Sequence, residues 1–278
     1  MSTSADSSSD RTDASNIRGE TAENDPGQPP TVRSRAAQDI TSVDLPTPAI
    51  ALAVGAHPDD IEFGCGGTLA KWAQAGCLVH HLVLTDGSKG TWNPDADIQA
   101  LVSTRREEQR EAARRLGAQG EVVFFDQIDG DLEATRDLRS RLAREIRRLK
   151  PNVVLGHDPW KRYRLHPDHR AAGFLLCDAV VAARDPHFFR EHGIAHHRPT
   201  HMLLWEADEP DHAEDIGSAV DIKISALLAH GSQFESTMKA VDPADLEAFA
   251  QRIRQRISDL GTRVARPGAE FFKKISDI

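Results

Sequence analysis

The sequence has few cysteines, no excess of positive charge and no long apolar run. Its three cysteines, Cys65, Cys77 and Cys177, show no C-x-x-C spacing and cannot all pair, so we expect reduced packing residues rather than a disulfide framework. The formal net charge of −9 argues against a nucleic-acid partner. No apolar run approaches the ~20 residues that span a bilayer, and the N-terminus lacks the apolar core of a signal peptide. These absences predict a cytoplasmic protein without membrane insertion.

The first 46 residues also have few large apolar side chains. They are rich in Ser, Thr, Asp, Pro and Gly, so they cannot bury enough apolar surface to offset the entropy lost on ordering. The sequence therefore predicts a disordered tail over residues 1–46. Residues 47–278 then form a single α/β domain, a length that supports a core of useful size.

Beyond the tail, short apolar runs alternate with helical patterns. The sequence predicts helices over residues 68–75 (after a glycine-rich turn), 98–116, 135–149 and 167–183, with a mostly helical remainder after residue 206. The predicted strands are residues 49–55, 78–84, 121–125, 153–156 and 202–206. Alternation at this spacing is typical of βαβ crossovers, so we predict a Rossmann-like α/β fold, a mainly parallel sheet with helices on both faces.

Two charged segments follow predicted strands. Residues 57–60 (His-Pro-Asp-Asp) come directly after the first strand, and residues 166–169 (His-Pro-Asp-His) follow the loop after the fourth. In open α/β sheets, ligands bind beyond the carboxyl ends of such strands. His166 and His169 are three residues apart and face the same way if a helix begins there, and Pro167 suits the first helical position. We expect the two segments to lie close together.

These residue types point to metal chemistry. Two histidines and one carboxylate that leave a position open describe a catalytic zinc site. His57 and Asp60 supply an imidazole and a carboxylate from the first segment, and the second segment supplies a histidine. Asp59 is a spare carboxylate that could take a proton from a water molecule. We therefore predict one Zn²⁺ or other divalent metal ion per chain, which would activate water and polarise a substrate carbonyl.

The two segments closely resemble motifs of the PIG-L/LmbE-like family of zinc-dependent N-acetylglucosaminyl deacetylases, of the mycothiol-pathway type. The resemblance covers about residues 48–235. It extends to Arg105-x-x-Glu108-x-x-x-Ala112-x-x-x-Leu116-Gly117, to Asp129-Gly130 and to Lys223-x-x-Ala226-x-x-x-His230-x-Ser232-Gln233. The resemblance implies that zinc is bound by His57, Asp60 and His169. It implies that Asp59 is the general base and that a charged His166, oriented by Asp168, stabilises the oxyanion. It also implies that Arg105 and Asp129 contact sugar hydroxyls.

The segment before the second motif departs from the family pattern. Family members of the mycothiol pathway carry a tyrosine two residues before that motif, whereas Arg164 stands there in this chain. Tyr163, the only tyrosine, is one residue earlier and is the candidate substrate-binding residue. The loop is also longer by a residue and carries Trp160, a change that we expect to alter which substrate fits.

Other polar residues are weaker candidates. His157 and Asp158 close the fourth strand, so we expect them near the site, with Asp158 as a hydrogen-bonding support rather than a metal ligand. For His230, lining of the pocket and hydrogen bonding within the core are equally compatible with the sequence.

Three functions from different classes are candidates for this sequence. The first is hydrolysis of an N-acetyl group from an amino-sugar conjugate, a small-molecule substrate, with release of acetate and a free amine. The second is a dinucleotide-binding oxidoreductase, because Gly64-x-Gly66 follows the first strand. Leu69 occupies the place of the third glycine, however, and the glycines come too late after the strand.

The third function is a metal-binding protein that has lost catalysis. Asp59 and His166 are not expected ligands, so their retention argues for an enzyme. The sequence leaves open the acyl acceptor, the physiological metal and whether the chain forms a homo-oligomer.

Overall fold

In the computed structural model, which describes residues 40–278, the chain forms an eight-stranded sheet with helices on both faces. The strands are β1 (Ser42–Val43), β2 (Ile50–Gly55), β3 (Leu78–Thr85), β4 (Val122–Gln127), β5 (Val153–His157), β6 (His201–Trp205), β7 (His212–Asp215) and β8 (Ala269–Ser276). The helices are α1 (Asp60–Gln74), α2 (Ile98–Arg115), α3 (Arg136–Leu149), α4 (Pro167–Arg184), α5 (Val220–Leu227) and α6 (Pro243–Thr262).

The strand order is β1-β7-β8-β6-β5-β2-β3-β4. The five strands from β6 to β4 pair in parallel, and only β8 runs antiparallel, to β6 and to β7. This arrangement confirms the predicted α/β fold with a mainly parallel sheet. The carboxyl ends of β2, β3, β4, β5 and β6 therefore meet at one edge, where the loops that carry the charged segments lie.

The central strand β2 is buried on both of its faces. Leu52 and Val54 pack into the cluster that contains the apolar side chains of α3 and α4. Ala51 and Ala53 point the other way and pack against α1, in the cluster that contains Trp72. Because neighbouring residues of a strand face opposite sides, a continuous apolar run is what a strand covered on both faces requires.

The first helix begins earlier than predicted. The sequence predicted a glycine-rich turn before residue 68, but α1 starts at Asp60 and contains the glycines, with a break at Cys65 (φ −147°, ψ 17°). A Cβ built on Gly64 would lie 2.5 Å from the ring of Trp205, so this glycine permits close packing rather than a phosphate-binding turn. The glycine turn that the dinucleotide-binding hypothesis requires does not form here, because Gly64 and Gly66 lie within α1.

A buried ion pair satisfies the backbone groups that this break leaves free. Glu270 accepts hydrogen bonds from the backbone N–H groups of Gly67 (3.0 Å) and Thr68 (2.8 Å), at the start of the second half of the helix. Lys223, its ion-pair partner, donates to the carbonyl of Phe63 (2.8 Å) at the end of the first half. The pair therefore caps both broken ends of α1.

The folded region starts before the predicted boundary at residue 47. β1 pairs in parallel with β7, and the Leu45 N–H donates to the buried Glu214 (2.9 Å). Ser42 and Val43, within the predicted tail, are thus part of the sheet, and Leu45 is hydrogen-bonded to it. Residues 1–39 lie outside the described residues, so the disorder expected of them stays a prediction.

The C-terminal region is less helical than predicted. After residue 206 the chain adds β7 and β8 as well as α5 and α6, so the mostly helical expectation was wrong for the strands. β7 was missed because it is polar. Its His212 and Glu214 are fully buried and contact each other at 2.8 Å.

Within residues 40–278, no helix combines the length and apolar character needed to cross a membrane.

Candidate metal centre

The two charged segments meet because the strands before them are neighbours. β2 pairs with β5, so the loop after β2 and the loop from β5 to α4 leave the same edge of the sheet side by side. The ring centroid of His57 lies 4.6 Å from that of His166 and 5.1 Å from that of His169. His57 and Asp60 therefore face the start of α4, as the sequence predicted.

The three predicted ligand residues lie close together, and each of them belongs to a group of side chains that could hold a metal ion. His57 Nδ1 lies 3.3 Å from an Asp60 carboxylate oxygen, and His169 Nε2 lies 3.3 Å from the other oxygen. The nitrogen atoms of His57 and His169 are 3.2 Å apart. A tetrahedral zinc ion with bonds of about 2.0–2.1 Å separates its ligand atoms by roughly 3.3–3.4 Å. The donor atoms of this set (His57, Asp60 and His169) are thus separated by about the distances found between zinc ligands, with His57 and His169 approaching different oxygens of Asp60.

The second ring nitrogen of His57 is held by carboxylates. Nε2 lies 3.1 Å from Asp168 Oδ2 and 3.2 Å from Asp129 Oδ1, so it carries the hydrogen and leaves Nδ1 free to bind a metal. Burial lowers the pKa of His57, but its contacts with these two carboxylates and with Asp60 outweigh burial and raise the pKa well above its ordinary value. A cation at Nδ1 would replace the second proton.

His157 faces the same carboxylate but is not suited to bind the metal. The indole N–H of Trp205, which can only donate, lies 3.0 Å from His157 Nδ1. The neutral His157 ring therefore carries its hydrogen on Nε2, which lies 3.2 Å from Asp60 Oδ2. His157 is consequently near the site, as predicted, and faces the carboxylate with an N–H group rather than a lone pair.

Asp59 lies beside the donor set without joining it. Its side chain is buried, with Oδ2 3.5 Å from the Arg105 guanidinium. Burial raises the pKa of Asp59 to about 6, although the charge of Arg105 opposes this shift. A carboxylate that changes protonation state so close to neutral pH suits proton transfer.

His166 is the N-cap residue of α4 at the rim of the cleft, and its partners differ from the expectation. Desolvation and the neighbouring His57 lower its pKa, which does not favour the charged imidazole that the resemblance implied. The expected contact with Asp168 is not found among the described residues. The reason is that Asp168 is buried and accepts hydrogen bonds from His57 and from the backbone N–H groups of Gly130 (2.7 Å) and Leu132 (3.2 Å).

Two of the three predicted substrate contacts line the cleft, but both have protein partners. Arg105 donates to the carbonyls of Gly87 (2.9 Å) and Pro58 (2.6 Å). Asp129 contacts His57 and accepts from the backbone N–H of Lys89 (3.1 Å). Their contacts to sugar hydroxyls therefore stay predictions.

The third predicted contact, Tyr163, does not reach the cleft. Its side chain is 87% exposed on the loop before α4. Arg164 occupies the inward position instead, where Nη2 pairs with Glu206 (3.0 Å) and Nη1 lies 3.2 Å from His157. Asp158, expected to support the site, accepts from the backbone N–H of Trp160 (2.9 Å) and so shapes this loop.

The cleft around the donor set has a volume of about 760 Å³, within the range of small-molecule sites. It extends from the loop at Lys89 along the sheet edge to α6. One face of α6, with residues spaced three or four apart, lines the far end: Ile253, Arg256, Ile257, Leu260 and, just beyond the helix, Arg263.

Sequence reasoning missed a polar cluster behind Asp59. Glu62, His81, Gln109 and His230 are all fully buried and contact one another in series. His230 therefore belongs to the core rather than to the cleft lining. The only sequence signal for Gln109 was its position one helical turn after Arg105.

The region around both segments matches a known protein family. The model described as PIG-L, GlcNAc-PI de-N-acetylase, matches residues 52–180. This range contains most of β2 and both charged segments. All three residues of the donor set therefore lie within the matched region.

Individual relatives are similar over most of their length. The chain is 37% identical over 186 residues to a diacetylchitobiose deacetylase of Thermococcus kodakarensis, covering 66% of this chain and 69% of that protein. It is 32% identical over 195 residues to a 4-oxalmesaconate hydratase of Pseudomonas putida, covering 66% of this chain and 73% of that protein. A solved N,N'-diacetylchitobiose deacetylase from Pyrococcus horikoshii has a TM-score of 0.74 at 27% identity, covering 82% of this chain and 84% of that one.

Proposed function

Because the chain belongs to the PIG-L family of GlcNAc-PI de-N-acetylases, we propose that it is a metal-dependent N-deacetylase that acts on an amino-sugar conjugate. The observation that carries this proposal is the pairing of a three-ligand donor set with a buried carboxylate, Asp59, that is not a ligand. A site that only stores metal has no need of such a carboxylate.

The proposed metal is Zn²⁺, one ion per chain, held by His57 Nδ1, an Asp60 oxygen and His169 Nε2. The nitrogen and oxygen donors, their number and their separations support this choice. When bound, zinc lowers the pKa of water toward ~7 and polarises the amide carbonyl. Asp168 and Asp129 keep His57 in the tautomer that such binding requires.

Asp59 is the proposed general base. It takes a proton from the attacking water as the water oxygen bonds to the acetyl carbonyl carbon, and it then gives a proton to the amide nitrogen as the C–N bond breaks. Acetate and a free amine are the products. Its pKa of about 6 supports both steps, because the group can hold and release a proton near neutral pH.

His166 is proposed to stabilise the oxyanion that forms during the attack. Its position at the rim, with its ring centroid 4.6 Å from that of His57, supports this role. A neutral imidazole still donates one N–H, so the lowered pKa of His166 is compatible with hydrogen bonding to the oxyanion. The cleft volume of about 760 Å³ leaves room for an N-acetylglucosaminyl unit and a further group.

The experiment is an acetate-release assay with N,N'-diacetylchitobiose and a panel of N-acetylglucosaminyl conjugates. The purified protein is stripped with a chelator and reloaded with Zn²⁺. We expect acetate release that requires the metal, and a loss of about 10²–10⁴-fold in kcat for Asp59→Ala with the metal content unchanged. Unaltered turnover in Asp59→Ala would reject the proposed base.

The same preparation is tested for hydration of 4-oxalmesaconate, the reaction named for the Pseudomonas putida relative. Hydration without any acetate release would overturn the deacetylase proposal. Metal binding with neither activity would favour the hypothesis of a metal-binding protein that has lost catalysis.

A further inference from the structure

The backbone of Asp59 adopts a conformation that few non-glycine residues adopt. Its φ of 103° and ψ of −26° lie in the left-handed region, where a side chain strains the backbone. Such a conformation persists only where the surroundings hold it. This strained residue is also the proposed general base, so its backbone geometry decides where the carboxylate points.

Helix α2 holds both ends of the peptide bond before Asp59. Arg105 Nη2 donates to the carbonyl of Pro58 (2.6 Å), and the side-chain Oε1 of Gln109 accepts from the N–H of Asp59 (3.0 Å). Arg105 and Gln109 are four residues apart, so they lie on the same face of the helix. The oxygen and hydrogen of a trans peptide point in opposite directions, and fixing both fixes the plane of the peptide.

The orientation of the Gln109 amide is dictated from both sides. The Asp59 N–H can only donate, so it requires the amide oxygen. Glu62 Oε1 accepts from Gln109 Nε2 (2.9 Å), and His81 Nδ1 lies 3.2 Å from the same nitrogen. His230 lies 3.3 Å from the other Glu62 oxygen.

All four side chains of this cluster are fully buried, so water does not compete for these contacts. A side chain with one acceptor and one donor at fixed places is needed at residue 109, and glutamine supplies both.

We propose that Gln109 is a positioning residue, which together with Arg105 clamps the Pro58–Asp59 peptide and so aims the general base at the open side of the metal centre. This inference rests on the proposed function. Gln109 touches neither the cleft nor the donor set, and it acts only through the backbone of Asp59. Its loss releases the peptide and lets Asp59 relax toward negative φ, which turns the carboxylate away.

The first test replaces Gln109 with methionine, which has a similar shape but no matching hydrogen bonds. For Q109M we expect kcat to fall about tenfold to a hundredfold, because a shift of about 1 Å in a catalytic group has effects of this size. KM should stay within about twofold, and the bound zinc should stay at the wild-type stoichiometry, because neither substrate contacts nor ligands change.

A swap of the two interacting groups provides the rescue. Q109E places two carboxylates against each other, so we expect it to lose activity as Q109M does. In the double variant E62Q/Q109E, the new amide at position 62 donates to the new carboxylate at position 109, and that carboxylate accepts from the Asp59 N–H. We expect the double variant to regain most of the kcat that Q109E loses, a result that general damage to the core would not give.

Leu142→Ala is the matched control, because Leu142 is fully buried in α3, away from the site, and its truncation destabilises the fold without touching the clamp. We expect a lower Tm with unchanged kcat. Crystal structures of Q109M and the wild type give a readout without activity, in which the φ of Asp59 should leave the positive region.

Two results would overturn the clamp. One is a Q109M protein with wild-type kcat or an unmoved Asp59 backbone. The other is a loss of activity that follows the loss of zinc. Absence of deacetylase activity in the wild type is a different failure, which concerns the proposed function, since the crystallographic comparison still reports on the clamp.

Discussion

At the scale of single residues, the centre depends on which nitrogen of each histidine carries the hydrogen. Two carboxylates receive the Nε2 hydrogen of His57, and the Trp205 indole leaves His157 with its hydrogen on Nε2. Both rings face Asp60, yet the first offers a lone pair and the second an N–H. Chemically similar side chains therefore take different parts in one site, and hydrogen-bond partners outside the donor set make the difference.

We predict that the rate of acetyl release rises with pH through the pKa of Asp59. Burial raises this pKa to about 6, and a general base works only when it is deprotonated. The value of kcat/KM should thus fall about tenfold for each pH unit below the pKa and become level above it. A nearby cation favours the carboxylate and lowers the midpoint. A pH profile of the zinc-loaded protein measures this, and activity that decreases between about pH 5 and pH 7 would contradict the assignment.

We also predict that His157 supports metal binding through Asp60. Phenylalanine at this position removes the N–H that faces the carboxylate, so we expect His157→Phe to weaken zinc affinity by about 10–100-fold. His157→Gln, which keeps a donor, should weaken it less. Competition with a chelating dye measures the affinity, with circular dichroism to check the fold. Equal affinities for the wild type and His157→Phe would show that the contact is unimportant.

At the scale of elements, the broken helix α1 connects the metal loop to the rest of the fold. Its first half begins at the donor residue Asp60, and its second half packs under the sheet. The Lys223–Glu270 pair joins the two halves across the break at Cys65. The direction of the first half, and with it the placement of Asp60, therefore depends on residues far along the chain.

The close approach of α1 to β6 yields a prediction about two glycines. A methyl group on Gly64 would lie 2.5 Å from the Trp205 ring, whereas one on Gly66 meets its nearest atom at 3.5 Å. We expect Gly64→Ala to lower the free energy of unfolding by about 1–3 kcal/mol and to reduce activity by displacing Trp205 from His157. Gly66→Ala is the control and should have little effect on the free energy of unfolding or on activity. Urea unfolding and the acetate assay measure the effects, and a fully active, stable Gly64→Ala would refute this packing argument.

Helix α6 is predicted to influence substrate choice rather than chemistry. Arg256 lines the far end of the cleft, and no ion-pair partner for it is found within residues 40–278. Arg254, two residues earlier, pairs with Asp221 (3.1 Å) outside the cleft. We expect Arg256→Ala to change KM severalfold across the conjugate panel with kcat nearly constant, while Arg254→Ala changes neither. A fall in kcat alone would contradict this separation.

At the scale of the whole molecule, the elements that could be predicted were mainly those with continuous apolar or periodic apolar sequence. The strands from β2 to β6 and the helices between them, except for the start of α1, were predicted to within a few residues, because buried parallel strands need continuous apolar sequence. β7 carries the buried polar residues His212 and Glu214, and its partners are distant in sequence, so no local pattern marks it as a strand.

The candidate site also contains residues whose proximity the sequence predicts and residues whose contacts it does not. The proximity of His57, Asp60 and His169 could be predicted because each stands in a short motif beside a strand end or a helix start. The contact from Gln109 to Glu62 joins residues that are 47 positions apart, and only the folded chain brings them together. Asp168 was assigned to His166 by resemblance, whereas its carboxylate contacts His57. Tyr163 points to solvent, and Arg164 fills the inward position.

The edge of the sheet gives a prediction about stability. A chain that begins at residue 47 lacks β1 and the Leu45 N–H that Glu214 accepts, whereas a chain that begins at residue 40 keeps both. We expect the shorter chain to lose about 1–3 kcal/mol in the free energy of unfolding, because a fully buried carboxylate loses a partner. Activity should persist, since β1 and β2 are separated by four strands in the sheet. Identical urea midpoints would argue against a structural role for residues 40–46.

The position of β8 has a consequence for how the protein is made. Among residues 40–278, β8 is the last strand in chain order, yet it lies between β6 and β7 and carries Glu270, which caps α1. During translation, the segments at residues 57–60 and 166–169 leave the ribosome long before that strand does. The nascent chain therefore carries its whole donor set while the wall of the cleft is still missing, and the site takes its final shape only after β8 has emerged.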